Sequence, residues 1–259
     1  MKKIIVALLV VAILASLSVG LFGCADEDKS ITSGDWKYIE LEDGTISLVS
    51  YVGTASAVVV PLAVDGKTVS QIEQGLFLSV NDGSTSRRMR EVYQNNELVR
   101  SVTFAAPIKE ISARTFYMCA ALEWVVLPAE CESIGDFAFY GCSSLTAIEL
   151  PTACKAIGAY CFRQCEKLQN VYIHNAADAT LPPKLGDKCF FMVNNGSSKD
   201  DQYYVIPDLK IWVDNISVFD ENVIKEERKK SHTNDYKYWL DYMPDEDHKD
   251  RNYIFAANH

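Results

Sequence analysis

The chain has 259 residues, 48% apolar and 23% charged, a size and composition that suit one or two folded domains and exclude wholesale disorder. Its 25 basic residues against 35 acidic ones give a net charge of −10. That balance argues against a general nucleic-acid binder, which needs a basic face to neutralise phosphates. Four histidines leave little material for a His-rich metal centre, and eight cysteines are too few for a disulfide scaffold.

Lys2 and Lys3 precede a stretch, Ile4 to Phe22, that is apolar or small throughout. It ends in Leu21, Phe22, Gly23 and Cys24, which resembles a bacterial lipoprotein signal cleaved before a lipid-bearing cysteine. Residues 1–23 are therefore expected to be a leader and Cys24 the lipid-attachment site. The alternative is an uncleaved anchor, since about 20 apolar residues can cross a bilayer. Both readings export the rest of the chain to the cell envelope and tie it to the membrane. Several acyl chains on one cysteine would hold firmly, where one chain is marginal. Residues 24–34, with Asp26, Glu27 and Asp28, read as a solvated tether.

Residues 35–66 read as an N-terminal β cap. Trp36 to Tyr51 has the pattern of a hairpin around Asp43-Gly44. Val58 to Pro61 and Asp65-Gly66 follow. Residues 67–214 are repetitive. Ile111, Phe116, Cys119, Leu122, Val125, Leu127 and Pro128 recur 23 residues later as Ile134, Phe139, Cys142, Leu145, Ile148, Leu150 and Pro151. A third copy has Ile157, Phe162, Cys165, Leu168, Val171 and Ile173. Weaker copies flank these: Ile72, Phe77, Val99, Val102 and Phe104 upstream, and Leu185, Phe190, Ile211 and Val213 downstream, each carrying an insertion. In each unit an alternating run such as Leu145 to Leu150 predicts a half-buried strand, which the following proline ends. The Ile-to-Phe arc, such as Ile134 to Cys142, predicts a tight helical turn packed inward. One unit cannot bury its own apolar edge, so the units must stack as a solenoid, with parallel strands about 4.8 Å apart.

These residues resemble the BspA-type leucine-rich repeat of bacterial surface proteins, from about Trp36 to Asp214. The expected fold is thus an α/β repeat: a leucine-rich-repeat solenoid of parallel strands and short helical turns, with an N-terminal β-hairpin cap. The resemblance implies a surface role in adhesion or protein binding and no catalytic activity. The first insertion, Ser79 to Asn95, contains Arg87, Arg88 and Arg90 and reads as a solvated excursion. Residues 215–259 are not family-like. Val218, Phe219, Val223 and Ile224 have helical spacing, Arg228 to Lys230 suit a helix C-terminus, and the aromatics from Tyr236 to Tyr242 suit a cap. A partly helical C-terminal cap is the expectation.

Cys119, Cys142 and Cys165 fall in one column and are expected to pack as small hydrophobes beside Phe116, Phe139 and Phe162. Cys131 with Cys154, and Cys161 with Cys189, are close enough in a stacked repeat to bridge, and free thiols are the alternative. There is no Cys-x-x-Cys, so no metal is expected. The chain has no Gly-x-Ser-x-Gly, no His-Glu-x-x-His and no phosphate loop, so no catalytic residue and no cofactor is assigned. His174, which replaces the proline of the third unit, reads as a turn residue. Glu40 and Glu42, and Asp245 to Asp247, read as solvated acids. Asp235, Asp241 and His248 would be the only material for an active site in the tail.

The exposed strand face carries the functional expectation. One outward column reads Ser101, Trp124, Ala147, Asn170 and Lys210. The next reads Thr103, Val126, Glu149, Tyr172 and Trp212. Trp and Tyr anchor interfaces, so Trp124, Val126, Glu149, Asn170, Tyr172 and Trp212 are the candidate partner-binding residues, unless the tail covers them. The expected partner is a host or bacterial surface protein, met by a monomer. The alternative is a carbohydrate packed on the same aromatic strip.

Overall fold

The computed structural model describes residues 29–80, 93–94, 96–176, 178–193, 203–206, 208–219, 225 and 253–256. The leader, Cys24, Arg87, Arg88, Arg90 and the tail residues Asp235, Asp241, Asp245, Asp247 and His248 lie outside them.

At the N-terminal end, Trp36–Glu40 and Ile46–Tyr51 pair antiparallel around Asp43-Gly44. The Asp43 carboxylate accepts the Thr45 amide at 2.9 Å, which holds the turn. Ile31–Ser33, within the stretch expected to be a tether, is ordered as an outer antiparallel strand on Trp36–Glu40. Ile46–Tyr51 also pairs in parallel with Lys67–Ile72, which joins the cap to the first repeat arc.

Beyond the cap, each unit contributes to two ladders. On the back of the solenoid, Glu110–Ile111, Ser133–Ile134, Ala156–Ile157 and Lys184–Leu185 form one unbroken parallel sheet. On the front, Ala57–Val60, Ser101–Phe104 and Trp124–Val126 form one parallel sheet. Ala147–Leu150, Asn170–Ile173, Lys210–Val213 and Ile254–Ala256 form another. No ladder joins Trp124–Val126 to Ala147–Leu150, although the back sheet crosses the same two units.

Between the ladders lies the core. Phe77, Phe116, Phe139, Phe162 and Phe190 are fully buried and stack ring on ring, with centroids 5.1, 4.8, 5.1 and 5.3 Å apart. Trp36 and Tyr51 close the N-terminal end of this stack against Phe77. Beside the rings, the thiols of Cys142 and Cys165 each donate at 3.1 Å to a phenylalanine carbonyl of the preceding unit, Phe116 and Phe139. Asn96 occupies the same column in the first unit. Its amide donates to the Phe77 carbonyl at 3.0 Å and its carbonyl accepts the Leu98 and Val99 amides.

The arcs are not helical turns, which corrects the expectation. In an α-helix each amide would donate four residues back. Here Arg114, Phe116 and Met118 donate instead to Asp136, Ala138 and Tyr140 of the next unit, at 2.7 to 3.0 Å. The amides that alternate with them donate three residues back and close four-residue turns, as in Tyr117 to Arg114 and Cys119 to Phe116. Left-handed residues at Arg114 (φ 58°) and Met118 (φ 59°) stop helical propagation, and Phe137, Tyr160 and Gln164 repeat them. The five-residue Ile–Phe spacing thus serves a chain of turns hydrogen-bonded between units.

In three units the glycine after the arc isoleucine or leucine has a stacking role. A Cβ at Gly135, Gly158 or Gly186 would lie 2.1 to 2.5 Å from a backbone nitrogen of the preceding unit. Neighbouring arcs can approach this closely only if the side chain is missing.

The described tail does not support the expectation of a partly helical cap. Its described residues are a 3-10 turn, Ile216–Phe219, with Phe219 buried, Lys225 in helical conformation, and the strand Ile254–Ala256, which extends the front sheet in parallel; the rest of the expected helix lies outside the described residues. Backbone pairing with Ile254–Ala256 satisfies one edge of Lys210–Val213. The two insertions leave the solenoid through antiparallel stems, Ser79–Val80 with Tyr93–Gln94 and Phe191–Val193 with Tyr203–Val205.

Candidate functional site on the strand face

Parallel pairing places equivalent residues side by side, so the front sheets carry two outward columns. The first runs Ala57, Ser101, Trp124, then Ala147, Asn170, Lys210. The second runs Val59, Thr103, Val126, then Glu149, Tyr172, Trp212, Phe255. All six candidate residues fall in these columns. Ser101, expected on the surface, is buried, because its short side chain sits between its registered neighbours Ala57 and Trp124.

Sequence reasoning missed Val59 and Phe255. The signal for Val59 was present: Val58, Val60 and Pro61 repeat the pattern of Val125, Leu127 and Pro128. For Phe255 the signal was weaker, an outward aromatic beside the buried Ile254 in a stretch far from the last repeat.

The two halves of the face differ. In the first, Val59 is 60% exposed, Trp124 48% and Val126 55%. In the second, the aromatics cover one another. Tyr172 and Trp212 lie face to face, 6.3 Å between centroids and 14° between planes, and Phe255 packs 5.4 Å from Trp212 on the other side. The Trp212 indole N–H donates to the Asn170 side-chain oxygen at 2.9 Å, which locks its orientation. Both faces of the Trp212 ring are therefore engaged, and Asn170 is occupied in holding it.

Between the halves, where the front ladder is broken, lies a cleft of about 430 Å³. Trp124, Val126, Ala147, Glu149, Pro151 and His174 line it. At its rim, His174 Nδ1 lies 3.1 Å from Asp214 Oδ2. Glu149 is exposed, and among the described residues it has no ion-pair partner. Other acids of the solenoid do: Glu123 pairs with Arg100 at 2.6 Å, and Glu132 lies between Lys155 at 2.9 Å and Lys109 at 3.7 Å.

The seven cysteines after Cys24 are all buried and carry free thiols, including Cys131, Cys154, Cys161 and Cys189. Burial pushes the Cys131 thiol up to about 11 and Cys154 up to about 12, and raises Cys119, Cys142 and Cys161 as well. A buried thiol that holds its proton is a poor nucleophile and a poor metal ligand. Among the described residues, no three His, Cys, Asp or Glu side chains converge as a metal site.

Comparison with known proteins bears on the repeat. Residues 89–195 match the BspA type leucine rich repeat region, in six copies. The solenoid is similar to the T. pallidum leucine-rich repeat protein TpLRR at 20% identity and a TM-score of 0.50, over 78% of this chain and 96% of that one. It is also similar to the pneumococcal vaccine antigen PcpA at 18% identity and a TM-score of 0.50. That likeness covers 90% of this chain and 49% of PcpA, so the chain spans about half its length. No curated protein matches the chain. At these identities the two structures speak for the fold, a leucine-rich-repeat solenoid, and the match shows BspA-type leucine-rich repeats over residues 89–195.

Proposed function

We propose that this chain is a non-catalytic bacterial lipoprotein, exported and anchored through Cys24, whose strand face binds a protein on a host or bacterial surface. The observation that carries the reading is the exposure of Trp124 and Val126 on one strand and of Val59 two strands away, in line with Val126 across Thr103. Large apolar side chains held open on a rigid sheet are what an interface core is made of. The likeness to a vaccine antigen supports placement at the cell surface.

The test measures adhesion of the full chain, displayed on cells or beads, to host-cell and bacterial surfaces. Trp124→Ala and Val126→Asp should each reduce adhesion about tenfold or more, as loss of a central anchor does. Wild-type adhesion by both variants would overturn the reading. The anchor is tested separately: Cys24→Ala should abolish incorporation of labelled palmitate and release the protein from the membrane fraction.

A carbohydrate ligand is the second reading, and Trp124 is the residue that favours it. Sugars pack on open ring faces, and Trp124 has one, whereas Trp212 is flanked by Tyr172 and Phe255. A glycan array on which signal is lost with Trp124→Ala and kept with Trp212→Ala would support it.

A further inference from the structure

We infer that the cleft between the two front sheets takes a basic side chain, a lysine or arginine, from an extended segment of the protein partner. This rests on the strand face being the binding surface and names the chemistry of its anchor. Three features converge on it.

The first is an aromatic wall. Trp124 borders the cleft, is half exposed and, among the described residues, has no ring partner. Its face can receive the stem of a long side chain or, edge on, its cation. The second is a charge. Glu149 projects from the opposite strand, solvent-exposed and without an ion-pair partner among the described residues, in a chain of net charge −10. A carboxylate so placed complements a guanidinium or ammonium group and repels an acidic one. The third is the broken ladder. Trp124–Val126 and Ala147–Leu150 have no strand pairing on the sides that face each other, so these edges offer both N–H and C=O groups to the backbone of an extended segment. An extended segment along these edges, with an apolar stem between Trp124 and Val126 and its cation at Glu149, satisfies all three features.

The probe is N-acetyl-arginine amide, titrated into the isotope-labelled full chain and followed by amide and indole chemical shifts. N-acetyl-norleucine amide serves as the same stem without the charge. The expected result is a saturable shift at Trp124–Val126 and Ala147–Leu150 with the arginine probe and none with the norleucine probe. Glu149→Gln should weaken binding about fivefold and Trp124→Ala about tenfold. Glu149 is exposed and, among the described residues, holds no side-chain partner in place, so an unchanged spectrum away from the cleft verifies that its variant is folded. No saturable shift with the arginine probe overturns the inference. Equal binding of the norleucine probe, or unchanged affinity in Glu149→Gln, also overturns it while leaving the strand face as a binding surface. Shifts from both probes scattered away from the front sheets overturn the inference and that surface together.

Discussion

Gly158 shows how much one missing atom decides. A Cβ there would lie 2.4 Å from the Asp136 nitrogen, a contact only backbone movement can relieve. Gly158→Ala should therefore cost about 1–3 kcal/mol, the range for overpacking, read as a lower urea midpoint at unchanged slope. Phe139 acts in the opposite sense. Its ring lies between Phe116 and Phe162, so Phe139→Ala leaves a cavity that both neighbours face. The expected loss is about 3–5 kcal/mol. Phe139 was legible as a column, because every unit imposes the same inward demand at that position, whereas the glycine recurs only at Gly135, Gly158 and Gly186. The left-handed backbone at Arg114, Phe137 and Tyr160 was not legible, since side chains of that size carry no signal for positive φ.

At the scale of elements, the strands were readable and the arcs were not. Alternation such as Ile148, Leu150 against Ala147, Glu149 states which side of a strand is buried, and the register follows from the 23-residue offset. An Ile and a Phe five residues apart fit both a helical turn and a chain of turns. What decides between them is where the amides donate, and that lies in the neighbouring unit. The front face was legible as two columns, but its division was not, because Val125 and Ile148 obey the same spacing as every other pair. That division separates two kinds of aromatic. Trp212→Ala removes a ring packed on Tyr172 and Phe255 and should destabilise the strand Ile254–Ala256, seen as faster amide exchange there. Trp124→Ala removes an exposed ring and should leave the urea midpoint within the equivalent of about 0.5 kcal/mol of wild type.

Across the whole molecule, the buried thiols set a pH limit. An unfolded thiol releases its proton near pH 9.0, whereas in the folded chain Cys131 keeps it to about 11 and Cys154 to about 12. Between those values the unfolded state binds fewer protons, so stability falls as pH rises. The contribution is fully present below pH 9 and lost through 11 to 12. Urea midpoints should be level from pH 7 to 8.5 and decline above pH 9, with a shallower decline in Cys154→Ala. A midpoint independent of pH up to 11 would contradict the burial of these groups.

A solenoid laced continuously along its back and interrupted along its front concentrates its compliance at the interruption. The back ladder through Ser133–Ile134 and Ala156–Ile157 then acts as a spine, and the gap between Trp124–Val126 and Ala147–Leu150 as the seam about which curvature changes. A ligand seated in that seam would touch both halves at once. Its grip would set the bend of the molecule, and a change of bend would in turn widen or narrow the seam that holds it.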